Sequence, residues 1–527
     1  MHKKIIATAA LSAFLLTGAA TPAMAAKSVS VTLPSFDVTL NGTIIENENR
    51  RYPLLVYNNI TYVPMTYHDC RFLGLETTWN QQDGLGIIKS DLTGAYHEDT
   101  VAKKNSKRST AQLVTGKVQV NGKVINNASE KYPLLLYRDV TYFPLTWRFA
   151  VDEFGWKYQF DHKNGLVITS NNIKTDSVTL KDGNTSAEGQ TEFDFTINTD
   201  YLYYQGEKGA VYQRPLNDWD NDTKRKKAGQ IPYEGTYQTD YWVASFSEEE
   251  NQVYYSFYYG GASMGGGSKH RIRENQEPEV IYHQSKNNLV DFGDFSIQTY
   301  GPAIGGIPSI PMTYIAKDGT RSDLGLNGYQ YAVSRDSYDA KRNVLYVLAC
   351  KVDPDKGLVG SHNLYVVSLT DGSMKKLSNQ PVENYKIVGD TIYYGWGAEL
   401  YAQDLKTGKE QYITSGLTYG RFYAPIESGV YFGYAATGED LCFWDKNTGK
   451  ITVINGKSHV TSLYSQNGYV IALLKETPDN PYRLMVFDAN GKQVYTSADV
   501  ADKAVINQDG VLVYRLAGTT QLVKVQL

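Results

Sequence analysis

The sequence predicts a mainly β fold, for which three observations are the evidence. Aromatic residues make up 13% of the chain, and its 42 tyrosines are strong strand formers. One short pattern that includes Asn-Gly and Tyr-Pro-Leu-Leu occurs twice within the first 170 residues. Farther along the chain, turn residues recur at intervals of about 40 residues. We therefore expect two small α+β repeat domains followed by a seven- or eight-bladed β-propeller.

The N-terminal segment 1–25 has the features of a secretory signal peptide. Lys3 and Lys4 give it a basic start, residues 5–20 are apolar, and Ala23-Met24-Ala25 forms a small-residue cleavage site. The apolar run is shorter than the ~20 residues of a membrane helix. We expect cleavage before Ala26, no stable membrane span afterwards, and a secreted or envelope-associated protein on the extracellular side. A retained N-terminal anchor is the alternative.

The charge and the cysteines exclude some classes of protein. The formal net charge of −4 becomes −6 when the two lysines of the signal peptide are removed. A nucleic-acid binder needs a basic surface that displaces counterions, so nucleic acid is not an expected partner. Cys70, Cys350 and Cys442 are too few and too far apart for a disulfide framework.

The duplicated pattern covers residues 38–90 and 118–170, with an offset of 80 residues over most of its length. Asn41-Gly42 predicts a two-residue hairpin, because Asn-Gly suits the positive φ angles of a type I′ turn. Pro64 is expected to open a short helix and Gly74 to end it. The predicted strands of the first copy are 38–40, 43–45, 54–57, 60–63 and a closing strand at Ile87-Ile88, which Val167-Ile168 matches in the second copy.

The quoted motifs, with Tyr52-Pro53-Leu54-Leu55 and Thr61-Tyr62-Val63-Pro64, resemble the copper amine oxidase N-terminal-like domain. That domain is a stalk that is common in secreted bacterial proteins, and the resemblance implies domains at 30–92 and 116–172. An amine oxidase itself needs a His-x-His copper pair and an Asn-Tyr-Asp/Glu site. The eight histidines include no His-x-His, and Asn384-Tyr385 is followed by Lys386. We therefore expect neither copper binding nor amine oxidation.

The segment between the two repeats, 93–115, is predicted to be a solvated linker. It contains Lys103, Lys104, Lys107 and Arg108 among Asn, Ser and Thr residues. Contact of these basic residues with a wall polymer is the alternative.

The propeller is predicted from two interleaved series of turns. One series, at Gly389, Gly429, Gly468 and Gly510, has steps of 40, 39 and 42 residues, and the other, at Gly372, Gly408, Gly449 and Gly491, has steps of 36, 41 and 42. Two hairpins in each period of about 40 residues are typical of four-stranded propeller blades. We assign residues 176–527 to the propeller.

The clearest blade consists of strands 391–394, 400–405 and 411–413 with the turn Thr407-Gly408. Its Ile392-Tyr393-Tyr394 and Leu400-Tyr401-x-x-Asp404 segments resemble the low-density-lipoprotein-receptor-type propeller repeats of exported bacterial proteins. In the same blade, Ala402-x-Asp404-x-x-Thr407-Gly408 is similar to the blade motif of quinoprotein dehydrogenases, with Tyr412 where that motif has Trp. That motif locks blades together and does not bind the quinone. Neither resemblance implies a cofactor.

The last predicted blade lacks an outer strand, because the chain ends after strand 521–527. An unpaired edge would leave backbone donors and acceptors exposed. The segment Ser177-Val178-Thr179-Leu180 has the alternation of a half-exposed strand, and Lys181-Asp182-Gly183 ends it. We expect it to complete the last blade and so to close the ring.

Three short motifs resemble functional sites, and each also has a simpler structural interpretation. Gly261-Ala262-Ser263-Met264-Gly265 matches a nucleophile elbow, but Gly266-Gly267 follows where a helix is needed, which favours a flexible loop. Asp218, Asp220 and Asp222 resemble the start of a calcium loop that lacks its glycine and its final glutamate, which favours a solvated hairpin. Cys70, beside His68 and Asp69, is expected to be a buried thiol and not a nucleophile or metal ligand.

Tyrosine-rich stretches such as residues 254–259 could stack on sugar rings, although the core between blades is the favoured interpretation. No catalytic, cofactor-binding or metal-binding residue is therefore assigned, and the ligand-binding residues are unknown. We expect a non-enzymatic exported binding or scaffold protein. Its repeats would dock at the cell envelope, and its propeller would bind a cell-wall polymer, a glycan or an envelope protein. The alternative is a lyase or hydrolase acting on extracellular glycan, which needs convergent carboxylates or histidines at the central channel.

Overall fold

The computed structural model describes residues 27–183, 194–231, 242–259, 266–274, 276–283, 287–300, 312–334, 337–353, 355–418, 423–435, 440–475, 477 and 480–527. The predicted signal peptide and the Gly261–Gly265 motif lie outside these residues. No helix within the described ranges is long and apolar enough to cross a membrane.

The two repeats form fourteen short strands and two helices. The helices are α1, Tyr67–Phe72, and a π-helical segment, Trp147–Glu153. The strands are β1 Ser28–Thr32, β2 Val38–Leu40, β3 Thr43–Ile44, β4 Leu55–Tyr57, β5 Ile60–Pro64, β6 Leu75–Asn80, β7 Gly84–Lys89, β8 Arg108–Leu113, β9 Val118–Val120, β10 Lys123–Val124, β11 Leu135–Tyr137, β12 Val140–Pro144, β13 Lys157–Asp161 and β14 Gly165–Thr169. A 3₁₀ turn lies at Asn127–Ser129.

The local signals in the repeats act as turn chemistry predicts, apart from the start of the first helix. Asn41 and Gly42 have φ angles of 47° and 91°, as a type I′ hairpin requires. Pro64, expected to open helix α1, is instead the last residue of β5. The helix begins at Tyr67 because the Thr66 hydroxyl is its N-cap and accepts the backbone N–H of Asp69 at 3.1 Å. Gly74, with φ 73°, follows the helix in the left-handed conformation.

The two repeats are interleaved and share one core. β7 of the first copy pairs in parallel with β9 of the second, and β14 of the second pairs in parallel with β2 of the first. Strands of both copies also close one barrel, in the order β1-β4-β5-β12-β11-β8. We call this body the repeat unit.

The polar composition of segment 93–115 predicted a solvated linker, and the structure contradicts this prediction. Strand β8 of this segment pairs with β1 and with β11 and so completes the shared barrel. Thr93 forms a parallel bridge with Ser497 of the C-terminal part of the chain, and Ala95 is buried there. Pairing with strands that are distant in the sequence fixes a segment whose own residues carry no strong strand signal.

The rest of the described chain forms eight sheets that follow one another along the sequence. We number them S1 to S8. Their strands are, in S1, β16 Phe195–Ile197, β17 Tyr201–Gln205, β18 Ala210–Pro215 and β19 Lys226–Gln230; in S2, β20 Trp242–Glu249, β21 Gln252–Tyr259, β22 Gly266–Arg271 and β23 Glu279–His283; in S3, β24 Asn287–Asp291, β25 Phe295–Tyr300, β26 Met312–Ala316 and β27 Arg321–Leu324; in S4, β28 Tyr329–Ala332, β29 Tyr338–Asp339, β30 Val344–Asp353, β31 Gly357–Ser368 and β32 Met374–Lys376.

The strands of the remaining sheets are, in S5, β33 Asn384–Val388, β34 Thr391–Trp396, β35 Glu399–Asp404 and β36 Glu410–Thr414; in S6, β37 Tyr423–Ile426, β38 Gly429–Tyr434, β39 Asp440–Asp445 and β40 Ile451–Asn455; in S7, β41 Val460–Gln466, β42 Tyr469–Leu474, β43 Leu484–Phe487 and β44 Gln493–Ser497; in S8, β45 Ala501–Ile506, β46 Val511–Leu516, β47 Gln521–Gln526 and β15 Thr175–Thr179. Short 3₁₀ turns lie at Glu207–Gly209, Leu216–Asp218 and Asp222–Lys224. Both predicted series of glycines lie at hairpins, one between first and second strands and the other between third and fourth strands.

Apolar clusters join neighbouring sheets into a ring. Tyr203 of S1 packs in one cluster with Tyr255 of S2, and Leu345 of S4 packs in another with Ile297 of S3. S2 and S3 are joined by an ion pair of 3.1 Å between Arg271 and Asp291. The same kind of packing links S4 through S8 in order. This is the arrangement of a β-propeller.

The predicted ring closure is confirmed. β15 runs antiparallel to β47, with Ser177 opposite Val523 and Val178 opposite Leu522. Val178 also packs in one cluster with Phe195 of S1, so the segment before the ring completes its last sheet and contacts its first.

Candidate functional site

The aspartates that resemble a calcium loop lie in the connection between β18 and β19. Asp222 binds the Arg214 guanidinium at 2.7 Å, and Asp218 accepts a hydrogen bond of 3.1 Å from the Asn221 side chain. Asp218 and Asp222 are thus bound by neighbouring side chains of this loop. No group of three or more metal-ligating side chains occurs among the described residues.

The tyrosine-rich strand β21 belongs to the core. Tyr254, Tyr255 and Phe257 are 2–4% exposed, and burial raises the pKa of Tyr255 to about 12. The Tyr255 ring stacks on His270, with ring centroids 4.9 Å apart. The favoured interpretation of these three residues, as core between sheets, is confirmed.

Cys70 lies inside the repeat unit. It is 1% exposed, its Sγ lies 3.7 Å from the Met65 sulfur, and burial raises the pKa of its thiol. The neighbouring Asp69 forms a buried ion pair with Arg50. Cys70 is thus a buried thiol, because a nucleophilic cysteine needs a lowered pKa and access to solvent.

A cavity of 410 Å³ lies inside the ring, among the first strands of S7, S8, S1 and S2. Its carboxylates are bound to different partners. Asp502 accepts a hydrogen bond of 2.6 Å from Arg515, and Glu248 accepts one of 3.0 Å from the Asn467 side chain. Lys503, which also lines the cavity, forms an ion pair with Asp194. Each of these charged side chains is thus bound to another group of the protein.

The larger candidate site is a groove of 840 Å³ at the face where the first and second strands turn. We call it the ring-face groove. It crosses four consecutive sheets, S4 to S7, and is lined by residues 338–342, 386–390, 425–427, Ser465, Gly468 and Ala489.

One wall of the ring-face groove is fixed by an ion-pair network. Arg342 of S4 binds both Asp339 in its own sheet and Asp390 of S5. Lys406 is a second cation on Asp390, and the Lys406 and Arg342 cations lower the pKa of that carboxyl. Asp390 therefore stays ionised at neutral pH, and the network joins S4 to S5 at the groove.

The groove also has two charged residues outside this network. Lys341 and Glu427 are exposed, and neither forms an ion pair with any described residue. The half-buried Ile387 and Val388 add apolar surface. Tyr338 is the only aromatic residue of the described lining, and its ring packs edge-on against Phe292 and Phe295.

None of the groove residues was predicted from the sequence to be a functional residue. The turn series located Gly389 and Gly468, which lie at two of the turns that line the groove. The charged residues beside these turns carry no motif, because their common position depends on the packing of four sheets.

Comparison with known proteins gives structural similarity only. No family model matches the chain, and the curated proteins include no match. BamB from Moraxella catarrhalis is 11% identical, with a TM-score of 0.37, and the alignment covers 67% of this chain and 96% of BamB. PorZ, a surface component of the type-IX secretion system of Porphyromonas gingivalis, is 12% identical, with a TM-score of 0.34 and coverage of 65% of this chain and 42% of PorZ.

Dipeptidyl peptidase 4 of Porphyromonas gingivalis is 10% identical, with a TM-score of 0.39 and coverage of 62% of this chain and 56% of the peptidase. Because these TM-scores are low, the fold assignment depends on the strand pairing described above. The chain is a mainly β protein whose C-terminal part is a β-propeller.

Proposed function

We propose that this is an exported, non-enzymatic binding protein whose ring-face groove holds an extended polypeptide segment of an envelope protein. The observation that carries the proposal is the lining of the groove. It combines Lys341 and Glu427, of opposite charge and without ion-pair partners in the described chain, with the half-buried apolar side chains of Ile387 and Val388. A polypeptide supplies both charges and apolar side chains, so it complements this lining.

A glycan suits the groove less well. Sugar rings commonly stack on exposed aromatic faces, and Tyr338, the only aromatic residue of the described lining, is half-buried and packs against Phe292 and Phe295. This favours a polypeptide among the partners that the sequence left open.

We further propose that the repeat unit docks on a cell-wall glycan. Two pairs of equivalent positions in the two copies carry exposed aromatic rings. In the first pair, Tyr67 is 46% exposed and Trp147 is 66% exposed. In the second pair, Trp79 is 74% exposed and Phe160 is 51% exposed. Such rings are available for stacking on sugars. Replacing both Trp79 and Trp147 with alanine should reduce retention on isolated cell walls, whereas Ile44→Ala, at another exposed position, should not.

Photo-crosslinking tests the ring-face groove. A photoreactive residue is placed at Lys341 in the full chain, which is then exposed to the exported protein fraction of the producing bacterium. The matched control is Lys356, an exposed lysine at the opposite end of β30 in the same sheet. We expect crosslinks to a polypeptide from position 341 that Glu427→Lys abolishes, and none from position 356. Equal crosslinking from both positions, or none from position 341, would contradict the proposal.

A further inference from the structure

A second cavity lies between the repeat unit and the ring. It has a volume of 590 Å³, within the range of about 300–1,000 Å³ that is usual for ligand pockets. The turn between β2 and β3 forms one side, and sheets S1 and S8 form the other. Lys174 and Asp176, at the start of β15, lie between the two sides. We call this cavity the junction cleft.

The floor of the junction cleft is rigid. Lys524 binds Asp176 at 3.1 Å and donates a hydrogen bond of 2.9 Å to the Leu216 carbonyl oxygen. The buried Trp219 donates its ring N–H to Asp176 at 2.8 Å, and its ring lies under the Lys524 ammonium at 4.6 Å. These two charges neutralise each other within the protein.

The turn of the repeat unit is fixed as well. The Asn41 side chain donates hydrogen bonds to the Phe72 carbonyl oxygen at 2.7 Å and to the Ser170 hydroxyl at 2.9 Å. The backbone N–H of Ser170 donates to the Asn41 side-chain oxygen at 2.8 Å. The cleft is therefore preformed on both sides, which lowers the entropic cost of binding.

Two further charges in the cleft have no ionic partner in the protein. Lys174 and Asp200 are exposed and line the cleft, and neither forms an ion pair with any described residue. A ligand with one positive and one negative group would complement both charges, whereas a dianion or a dication would be repelled by one of them. The half-buried Val511 adds a small apolar surface, and the buried Leu216 also borders the cleft.

We propose that the junction cleft binds a short zwitterionic peptide, with its terminal carboxylate at Lys174 and its terminal ammonium at Asp200. The volume of the cleft exceeds that of a single amino acid, and its apolar surface suits small side chains. This binding site is separate from the ring-face groove, which lies across sheets S4 to S7.

Titration calorimetry of the full chain with trialanine tests this proposal. Trialanine with free termini is compared with trialanine that is acetylated and amidated. The cleft variants are Lys174→Gln and Asp200→Asn, and the controls are Lys181→Gln and Asp220→Asn, at exposed positions outside the cleft. Lys341→Glu, in the ring-face groove, serves as the control for location.

We expect free trialanine to bind, each cleft variant to bind it about tenfold more weakly, and the blocked peptide not to bind. The three control variants should bind like the unaltered chain. The proposal is overturned if free trialanine does not bind, if the blocked peptide binds equally well, or if both cleft variants bind normally. Weakened binding only in Lys341→Glu would place the peptide in the ring-face groove and would also overturn it.

Discussion

At the residue scale, the attachment of the repeat unit to the ring centres on one partly buried carboxylate, Asp499. It accepts hydrogen bonds from the Tyr514 hydroxyl at 2.6 Å and from the backbone N–H of Ala95 at 2.8 Å. Thr93 adds a hydrogen bond of 2.8 Å to the carbonyl oxygen of Thr496. Burial raises the pKa of Asp499, because the charged form loses its hydration.

Replacing Asp499 with asparagine should therefore change stability in a pH-dependent way. Since the pKa is raised in the folded state, the stabilising contribution of Asp499 is fully present below the ordinary aspartate pKa of about 3.9. It is lost as the pH rises through the folded-state pKa. Asparagine keeps an oxygen acceptor but carries no charge. We expect the melting temperature of Asp499→Asn, relative to the unaltered chain, to increase as the pH rises from about 4 through the folded-state pKa of Asp499. A difference that decreases with pH would show that the charged form is favoured.

At the scale of elements, the sequence predicted what local chemistry determines. The predicted turns at Asn41-Gly42, Gly408 and Gly449 are present, and these residues have the positive φ angles that such turns require. The pairing partners of each strand were harder to predict from the sequence. The polar strand β8 looked like linker, because its pairing with β1 and β11 involves residues that are distant in the sequence.

The interleaving of the repeats also could not be predicted from the sequence. Two copies with the same pattern fit two separate domains as well as one shared core, since each closing strand can pair within its own copy or with the other copy. The ring-face groove and the junction cleft could not be predicted from the sequence, for a related reason. Each is lined by turns that only the packing of several sheets brings together.

Leu40→Ala tests the interleaving. Leu40 is fully buried in β2, and its backbone partner is Ile168 of the second copy. The substitution should lower the free energy of unfolding of the repeat unit by about 2–5 kcal/mol. It should also speed hydrogen exchange at Val167 and Ile168. The control Ile44→Ala, at a 70% exposed position of β3, should change stability by less than about 0.5 kcal/mol.

If the two repeats folded as independent domains, Leu40→Ala would leave exchange in β14 unchanged. That outcome would contradict the shared core.

At the scale of the whole molecule, the central claim is a closed ring to which the repeat unit is fastened at two places. One is the pairing of Thr93 with Ser497, and the other is β15, which leads from the repeat unit directly into S8. Both ends of the ring meet in S8, so the loss of β15 would remove the outer strand of this sheet and part of its packing against S1. The junction cleft exists only if this closure holds, because Lys174 and Asp176 lie at the start of β15.

An engineered disulfide between residues 177 and 523 tests this closure most directly. Ser177 and Val523 are opposite one another in the β15–β47 pair, and directly opposite residues have Cα atoms about 4.5–5.5 Å apart, which a disulfide spans. The matched control pairs Ser177→Cys with Val525→Cys, a diagonal about 7–8 Å apart, which a disulfide does not span. The three native cysteines are buried and free. We predict that mass spectrometry of the oxidised, folded chain finds the 177–523 crosslink in nearly all molecules and the 177–525 crosslink in few. Absence of the first crosslink, or preference for the second, would contradict the closed ring.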